Sequence, residues 1–147
     1  MRQVEGQAMK RDMLSNIEGV SNELESIKKL APQVAKQYSE KMTERINRLL
    51  STYDVSVTPA DIVKEVGIFA DRCDISEETV RLDSHLKQFA QVIENQSPGK
   101  KLDFLIQEML RETNTIGSKA NDAGVATHVV EIKTLIERVR EMVQNIE

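Results

Sequence analysis

Residues 125–146, VATHVVEIKTLIERVREMVQNI, carry the most regular apolar pattern in the chain and decide its fold class. Apolar residues recur at alternating steps of four and three, which places them along one face of an α-helix. This spacing is typical of a helix that packs against other helices in a bundle or coiled coil. The residues of this stripe, called the C-terminal seam below, are Val125, Val129, Ile132, Ile136, Val139, Val143 and Ile146.

Composition favours the same fold class for the rest of the chain. Aromatic residues make up 3% of the 147 residues and tryptophan is absent. The interior must therefore be built from aliphatic side chains and methionine, which suits helix packing better than a sheet. We expect an all-α fold of long helices, arranged as a helical bundle or an extended helical assembly, with a regular C-terminal helix.

Charge and cysteine content limit the possible functions. The formal net charge of −4 lacks the strongly basic field of a general nucleic-acid coat protein, so any RNA contact must be local. The single cysteine, Cys73, excludes an intrachain disulfide, and no apolar stretch approaches the roughly 18 residues of a membrane span. No glycine-rich phosphate loop is present. These features predict a cytoplasmic protein without membrane association or nucleotide cofactor.

The first third of the chain carries an apolar stripe interrupted by a proline. The stripe runs from Met13 to Leu49 at helical spacing. Pro32 divides it, because proline cannot donate an interior helical hydrogen bond and disfavours helical geometry in Ala31. The pattern predicts a long helical hairpin or a kinked helix over residues 1–56, followed by a second helical domain over residues 57–147.

Capping signals predict two helices in the middle of the chain. Thr58 followed by Pro59 predicts a helix that begins at Pro59 and ends near Cys73, and Asp74 with Ser76 predicts the next start. The inward-facing residues are expected to be Ile62, Val63, Val66, Phe69 and Ala70 in the first of these helices, and Val80, Leu82, Leu86, Phe89 and Val92 in the second.

A further helix is predicted to begin at Ser97 and Pro98, a capping residue followed by a proline suited to a first helical position. Its apolar face would carry Leu102, Leu105, Ile106, Met109 and Leu110. Gly117 and Gly124 bracket the polar residues 118–122, which predicts a loop or frayed turn before the C-terminal helix.

Two pairs of glutamates are the first candidates for chemistry. Glu108 and Glu112, like Glu137 and Glu141, are spaced four residues apart, an arrangement that costs an isolated helix a few tenths of a kcal/mol. A divalent cation such as Mg²⁺ or Mn²⁺ would compensate and could assist phosphodiester hydrolysis. The alternative is that nearby arginines and lysines neutralise the pairs as a solvated network, the more common arrangement on helical surfaces.

The histidines and the cysteine give weaker signals. His85 is a candidate general base or proton donor for RNA cleavage, although a lone histidine more often lies at the edge of a core. His128 has no predicted partner and is assigned no role. Cys73 is expected to be a small buried residue rather than a nucleophile.

Longer motifs support a more specific assignment. They are DISEE at 74–78, VRL at 80–82, SH at 84–85, GKKLDFL at 99–105, QEM at 107–109, NTIGSKA at 114–120, VEIK at 130–133 and VQNIE at 143–147. Together they closely resemble the C-terminal half of the YicC-like, stress-induced endoribonuclease family. The resemblance is strong over residues 60–147, and residues 1–53 match mainly through Arg2, Glu5, Gly6 and their helical pattern.

The resemblance implies a bacterial cytoplasmic protein that cleaves RNA with the help of a divalent metal, Mn²⁺ or else Mg²⁺, and assembles as a ring-like hexamer. It implies a metal-and-phosphate cluster built from Glu108, Arg111 and Glu112 and completed by Glu137 and Glu141. His85, Lys119 and Arg140 are implied as RNA contacts. Within this cluster, Glu108, Glu112 and Glu141 are the first choices as metal ligands.

Two expectations concern the chain as a whole. Full chains of the family carry a further N-terminal domain of similar size, so we expect Met1 to begin mid-protein and assign the activity to the full-length protein. The rival interpretation is a non-catalytic helical oligomerisation module whose C-terminal seam is buried against another chain. Binding of stoichiometric manganese would separate the two.

Overall fold

The computed structural model describes residues 2–53, 59–95 and 99–146. Within these ranges the chain forms helices and no strands, which confirms the all-α prediction. The helices are α1 (Arg2–Tyr53), α2 (Pro59–Cys73), α3 (Ser76–Glu94), α4 (Gly99–Ala120) and α5 (Ala123–Ile146). None of the described helices is both long and apolar enough to cross a membrane.

Helix α1 runs without interruption through Pro32, so the hairpin alternative is wrong. The reason is burial on both sides of the proline. Ile27 and Val34, one helical heptad apart, are both in the core, so one apolar stripe continues across Pro32. This packing offsets the roughly 3 kcal/mol that an interior proline costs. The predicted domain boundary between residues 56 and 57 lies outside the described residues.

The core is shared by the first half of α1 and by α3, α4 and α5. The C-terminal seam is buried from Val125 to Val143, as its spacing predicts, and α5 packs against α1 and α4 of the same chain. The expectation that this seam is buried against another chain is therefore wrong. The side chain of Ile146 lies outside the described residues.

Several residues predicted to face inward are exposed. Val80 is 67% exposed, although Leu82 on the same helix is fully buried. These two positions are about 200° apart around a helix, so they cannot share a face. Leu49 and Val63 are also exposed, although α1 and α2 are in contact in this region, where Tyr38 stacks on Phe69 with ring centroids 4.0 Å apart.

The helix starts follow the predicted signals where they are described. Helix α2 begins at Pro59 and ends at Cys73 as expected. Before α3, Oδ1 of Asp74 accepts a hydrogen bond from the backbone nitrogen of Ser76 at 2.9 Å. The Ser76 hydroxyl also donates to this carboxylate, and that bond, followed by the backbone one, holds the pKa of Asp74 below its ordinary value. The predicted caps at Thr58 and at Ser97–Pro98 lie outside the described residues.

The connection between α4 and α5 is shorter than predicted. Helix α4 continues through Gly117 to Ala120, so only residues 121–122 lie between the helices. Asn121 has a φ of 43°, a left-handed conformation that asparagine tolerates at helix ends. Oδ2 of Asp122 then accepts a hydrogen bond from the backbone nitrogen of Val125 at 3.1 Å, which caps α5.

Candidate functional site

A row of polar and charged side chains lies between α3 and α4, two helices that pack closely along each other. Helix α3 contributes Glu78, Arg81 and His85 at steps of three and four, which keeps them on one face. Helix α4 contributes Glu108 and Glu112 at a step of four, together with Lys119 seven residues further on. We call these six residues the α3–α4 polar row.

One end of the polar row brings together His85, Glu108 and Glu112. One ligand atom from each of these three side chains lies within 4.8 Å of the others. Glu112 is only 5% exposed, and the other two residues are half-buried. Nδ1 of His85 is buried and has no hydrogen-bond partner among the described residues. We call this group the HEE cluster.

Arg81 lies directly beside the HEE cluster. Its Nε donates to Oε1 of Glu112 at 2.8 Å. Its two terminal nitrogens face carboxylates of the preceding turn, Nη1 at 3.4 Å from Oε2 of Glu77 and Nη2 at 3.6 Å from Oε1 of Glu78. The hydrogen bond with Glu112 raises the pKa of Arg81, which is charged at any pH of interest.

At the other end of the row, Lys119 pairs with Glu78. Its Nζ donates to Oε1 of Glu78 at 2.6 Å, and Glu78 is 3% exposed. Burial raises the pKa of Glu78, but the hydrogen bond from Lys119 and the positive charges of Lys119 and Arg81 outweigh it, so the pKa lies below its ordinary value. The same hydrogen bond raises the pKa of Lys119. Lys119, predicted to bind RNA, is thus engaged within the chain.

The donor set of the HEE cluster fits a small divalent cation. Carboxylate oxygens suit Mg²⁺ and Mn²⁺, and an imidazole nitrogen favours transition metals such as Mn²⁺ over Mg²⁺. Ligand atoms around a six-coordinate ion of this size are about 3 to 4 Å apart, so the observed spacing requires only a small contraction. The buried and unpartnered His85 nitrogen is consistent with a ligand role, since such groups normally have a partner.

The second predicted pair of glutamates lies elsewhere. Glu137 and Glu141 line a shallow groove between α4 and α5, together with Leu110 and Asn114. Among the described residues, neither glutamate shares a three-ligand group with Glu108 and Glu112. Among the described residues of the single chain, Glu137 and Glu141 therefore lie apart from this group, and their role in completing the cluster, with Glu141 as a metal ligand, stays a prediction.

The predicted arginines are bound within their own helices. Nη1 of Arg111 lies 3.9 Å from Oε2 of Glu108, and Nη1 of Arg140 lies 3.7 Å from Oε2 of Glu137. Arg111 is three-quarters exposed, so its contact is weak and its guanidinium remains accessible. Arg111 therefore lies beside the HEE cluster, whereas Arg140 belongs to the α4–α5 side.

Two residues outside the site also differ from expectation. His128 has a partner after all, since its Nδ1 lies 2.5 Å from Oε2 of Glu23 and joins α5 to α1. Sequence could not reveal this pair, because the two residues are far apart along the chain. Cys73 is half-buried, and burial raises the pKa of its thiol, which does not favour a nucleophile.

Sequence reasoning missed Arg81 and Glu78 as members of the site. Glu78 lies in the DISEE motif and Arg81 in the VRL motif. Both precede His85 by helical steps, Arg81 by four residues and Glu78 by seven. A search for charged residues at those steps from His85 would have found them. The pairing partners Glu112 and Lys119 could not be inferred, because they depend on how α3 and α4 meet.

Comparison with known families agrees with the motifs. A family model described as "Endoribonuclease YicC-like, C-terminal" matches residues 27–147, which include all of the α3–α4 polar row. The chain belongs to this family. The matched region begins inside α1 and extends beyond residues 60–147, where the resemblance of the motifs was strongest.

Two relatives of this YicC-like domain extend the comparison. A protein of Clostridioides difficile (strain 630) named "Probable endoribonuclease YicC" is 43% identical over 149 aligned residues. A protein of the same name from Haemophilus influenzae (strain ATCC 51907 / DSM 11121 / KW20 / Rd) is 30% identical over 148 residues. In both cases the alignment covers 100% of the chain and 50% of the relative. The chain thus spans about half the length of these relatives and matches a C-terminal half.

Proposed function

We propose that the chain contributes the cation-binding part of an endoribonuclease that hydrolyses RNA phosphodiester bonds. The observation that carries this proposal is the HEE cluster, a convergence of one imidazole and two carboxylates beside two arginines. The relatives' name, probable endoribonuclease, supports the reaction and the RNA substrate. We assign this activity to the cytoplasm.

Each member of the site has a chemical role in this proposal. His85, Glu108 and Glu112 would hold a divalent cation, for which Mn²⁺ is our first choice and Mg²⁺ the second. When bound, such a cation polarises a phosphoryl oxygen and lowers the pKa of water. Arg111, with its exposed guanidinium beside Glu108, would bind the phosphate of the RNA backbone. In this proposal His85 is a ligand of the cation and not the RNA contact that the family resemblance implied.

The electrostatics of the chain restrict how RNA is held. The chain is net acidic, so it does not attract phosphate over its whole surface. Positive charge beside the HEE cluster comes from Arg81 and Arg111. Affinity for RNA is therefore expected to be local, dependent on salt, and greater in a longer protein or an assembly that adds basic surface.

The test compares substitutions in the two glutamate pairs. A short labelled structured RNA is incubated with the chain in Mn²⁺ or in chelator, together with the variants Glu108→Gln and Glu137→Gln. We expect cleavage that requires Mn²⁺, is lost in Glu108→Gln and persists in Glu137→Gln. Glu137 is the matched control because it is also a helical glutamate paired with an arginine three residues later.

Other outcomes contradict the proposal in distinct ways. Undiminished cutting by folded Glu108→Gln removes the HEE cluster from the active site. If only Glu137→Gln loses cutting, the active site lies in the α4–α5 groove and not at the HEE cluster. Absence of cutting by the wild-type chain contradicts activity of this chain on its own, and the same variants are then compared in the longer protein.

A second candidate function is assembly, and exposed apolar residues favour it. The second half of α1 and α2 expose Leu49, Tyr53, Val63 and Ile68, which are 41 to 72% exposed. A groove of about 670 Å³ lies along the second half of α1, lined also by Phe69 of α2 and by Asn121 and Asp122 of the α4–α5 connection. We propose a homo-oligomer, a hexamer by family resemblance. Sedimentation equilibrium with and without chelator tests it, and a monomer at all concentrations contradicts it.

A further inference from the structure

Arg81 is fixed in place by three carboxylates. Its Nε binds the buried Glu112, and its two terminal nitrogens lie 3.4 and 3.6 Å from Glu77 and Glu78. Glu78 is itself held by Lys119, so this arrangement is braced from both helices. These contacts hold the Arg81 guanidinium beside the HEE cluster.

The position of Arg81 has an electrostatic consequence for the cluster. Glu108 and Glu112 carry two negative charges, and Arg111 and Arg81 face them with two positive charges. When Glu77, Glu78 and Lys119 are included, four carboxylates face three cations, so the cations offset most of the negative charge around the cluster. A divalent cation at the cluster is attracted by the carboxylates and repelled by the two guanidinium groups, so the guanidinium groups reduce its net attraction. Arg81 dominates the repulsion, because it bonds to a buried carboxylate whereas Arg111 is screened by solvent.

We propose that Arg81 is a built-in counter-ion that keeps cation affinity low in the free protein and couples cation binding to the arrival of RNA phosphate. The Arg81 side chain is 47% exposed, so a phosphate oxygen can reach its terminal nitrogens while Nε stays on Glu112. The negative charge of the phosphate offsets the guanidinium and removes the repulsion felt by the cation. By reciprocity, the cation tightens the binding of phosphate by the same factor.

This inference rests on the proposed function, because it takes the HEE cluster as the cation site. In addition, the occupancy of the site by the cation depends on whether RNA phosphate is bound. A cluster with the same three ligands but no neighbouring guanidinium would bind the cation tightly with or without RNA. The affinity of the metal alone therefore separates the two cases, and no measurement of cleavage is needed.

The experiment is a calorimetric titration of MnCl₂ into the full 147-residue chain, with and without a saturating 2′-O-methyl RNA oligonucleotide. The oligonucleotide retains the phosphates but lacks a free 2′-hydroxyl, and its own uptake of Mn²⁺ is subtracted from a blank titration. Four proteins are compared: wild type, Arg81→Gln, Arg81→Lys and Arg48→Gln. Arg48 is the control because it is an exposed arginine of α1 that pairs with Glu44 in its own helix.

In the wild type we expect the oligonucleotide to tighten Mn²⁺ binding about tenfold, the scale of removing one charge repulsion near the surface. Arg81→Gln should bind Mn²⁺ about tenfold more tightly without the oligonucleotide, and the oligonucleotide should then add less than about twofold. Arg81→Lys retains the charge and should behave like the wild type, as should Arg48→Gln. A role of Arg81 that is only structural predicts weaker Mn²⁺ binding in Arg81→Gln.

Three results overturn the proposal. Arg81→Gln with wild-type circular dichroism but equal or weaker Mn²⁺ affinity excludes the counter-ion role. If the wild type binds Mn²⁺ equally tightly with and without the oligonucleotide, cation binding is not coupled to phosphate binding. This result does not depend on whether Arg81→Gln folds. In both cases the HEE cluster survives as a cation site. Wild type that takes up no Mn²⁺ with or without the oligonucleotide overturns both this inference and the proposed function.

Discussion

The Nζ atom of Lys119 lies 2.6 Å from Oε1 of Glu78, and this contact ties the last turn of α4 to the first turn of α3. The two side chains are unequally exposed, Lys119 by 37% and Glu78 by only 3%. Water can therefore solvate the lysine without its partner, but not the carboxylate. The pair matters mainly because it spares Glu78 an uncompensated buried charge.

Removing the lysine should destabilise the fold. We expect Lys119→Met to lower the free energy of unfolding by about 1 to 2 kcal/mol, less than the full cost of an unpaired buried charge because Lys119 is partly exposed and Arg81 stays nearby. Urea unfolding at neutral pH measures this change. Lys100→Met, at an exposed position near the start of α4, is the control. Equal losses in the two variants would mean that the Glu78 contact contributes nothing specific.

The same pair should give the protein a dependence on acid pH. The pKa of Glu78 in the folded chain lies below its ordinary value of 4.5, so the fold favours the ionised carboxylate. Its contribution to stability is therefore complete above the ordinary pKa and is lost as the pH falls through the lower folded value. Urea unfolding of wild type and Glu78→Gln between pH 6 and pH 3 should show a difference in stability that narrows with acid. A constant difference would contradict the linkage.

Gly117 should tolerate no large side chain. A Cβ atom at this position would lie 3.3 Å from Cγ1 of Val129, so α4 and α5 approach closely there. Gly117→Leu should lower stability by about 1 to 2 kcal/mol, because overpacking exceeds the roughly 1 kcal/mol gained in helix propensity. Ser118→Leu, at the next and exposed position, should change stability by less than about 0.5 kcal/mol. Thermal unfolding of both variants decides the point, and a stabilised Gly117→Leu would contradict the close approach.

Burial of the C-terminal seam inside one chain has its own test. Ile132 is fully buried, so Ile132→Ala should cost about 2 to 5 kcal/mol through lost burial and a residual cavity. Val130→Ala, at a position 62% exposed, should cost less than about 0.5 kcal/mol. The loss in Ile132→Ala should not depend on protein concentration, because the contact is within the chain. A loss that grows on dilution would place the seam between chains.

The sequence predicted the fold to the extent that local signals determine it. Helical periodicity gave the all-α class and the buried face of α5, and the signals at Pro59 and Asp74 marked the starts of α2 and α3. The errors came where tertiary packing competes with local preference. Pro32 favoured a break in α1, but continuous burial on both sides of it keeps the helix intact.

The site was harder to predict than the fold. Spacing on one helix identified Glu108 and Glu112 as a pair, and His85 was singled out by its chemistry. Sequence does not say which face of α4 meets α3 and which meets α5. That choice separates Glu112 from Glu141 and brings Glu112 to Arg81 instead.

The unequal packing of α1 has a consequence for dynamics. The helix is about 78 Å long at 1.5 Å per residue, but the buried side chains among its described residues lie between Met13 and Val34. Beyond Val34, every described residue of α1 is half-buried or exposed. Amide hydrogens near Leu49 should therefore exchange with solvent through local fraying, whereas those near Leu24 should require opening of the core. A single helix would then report two different opening free energies.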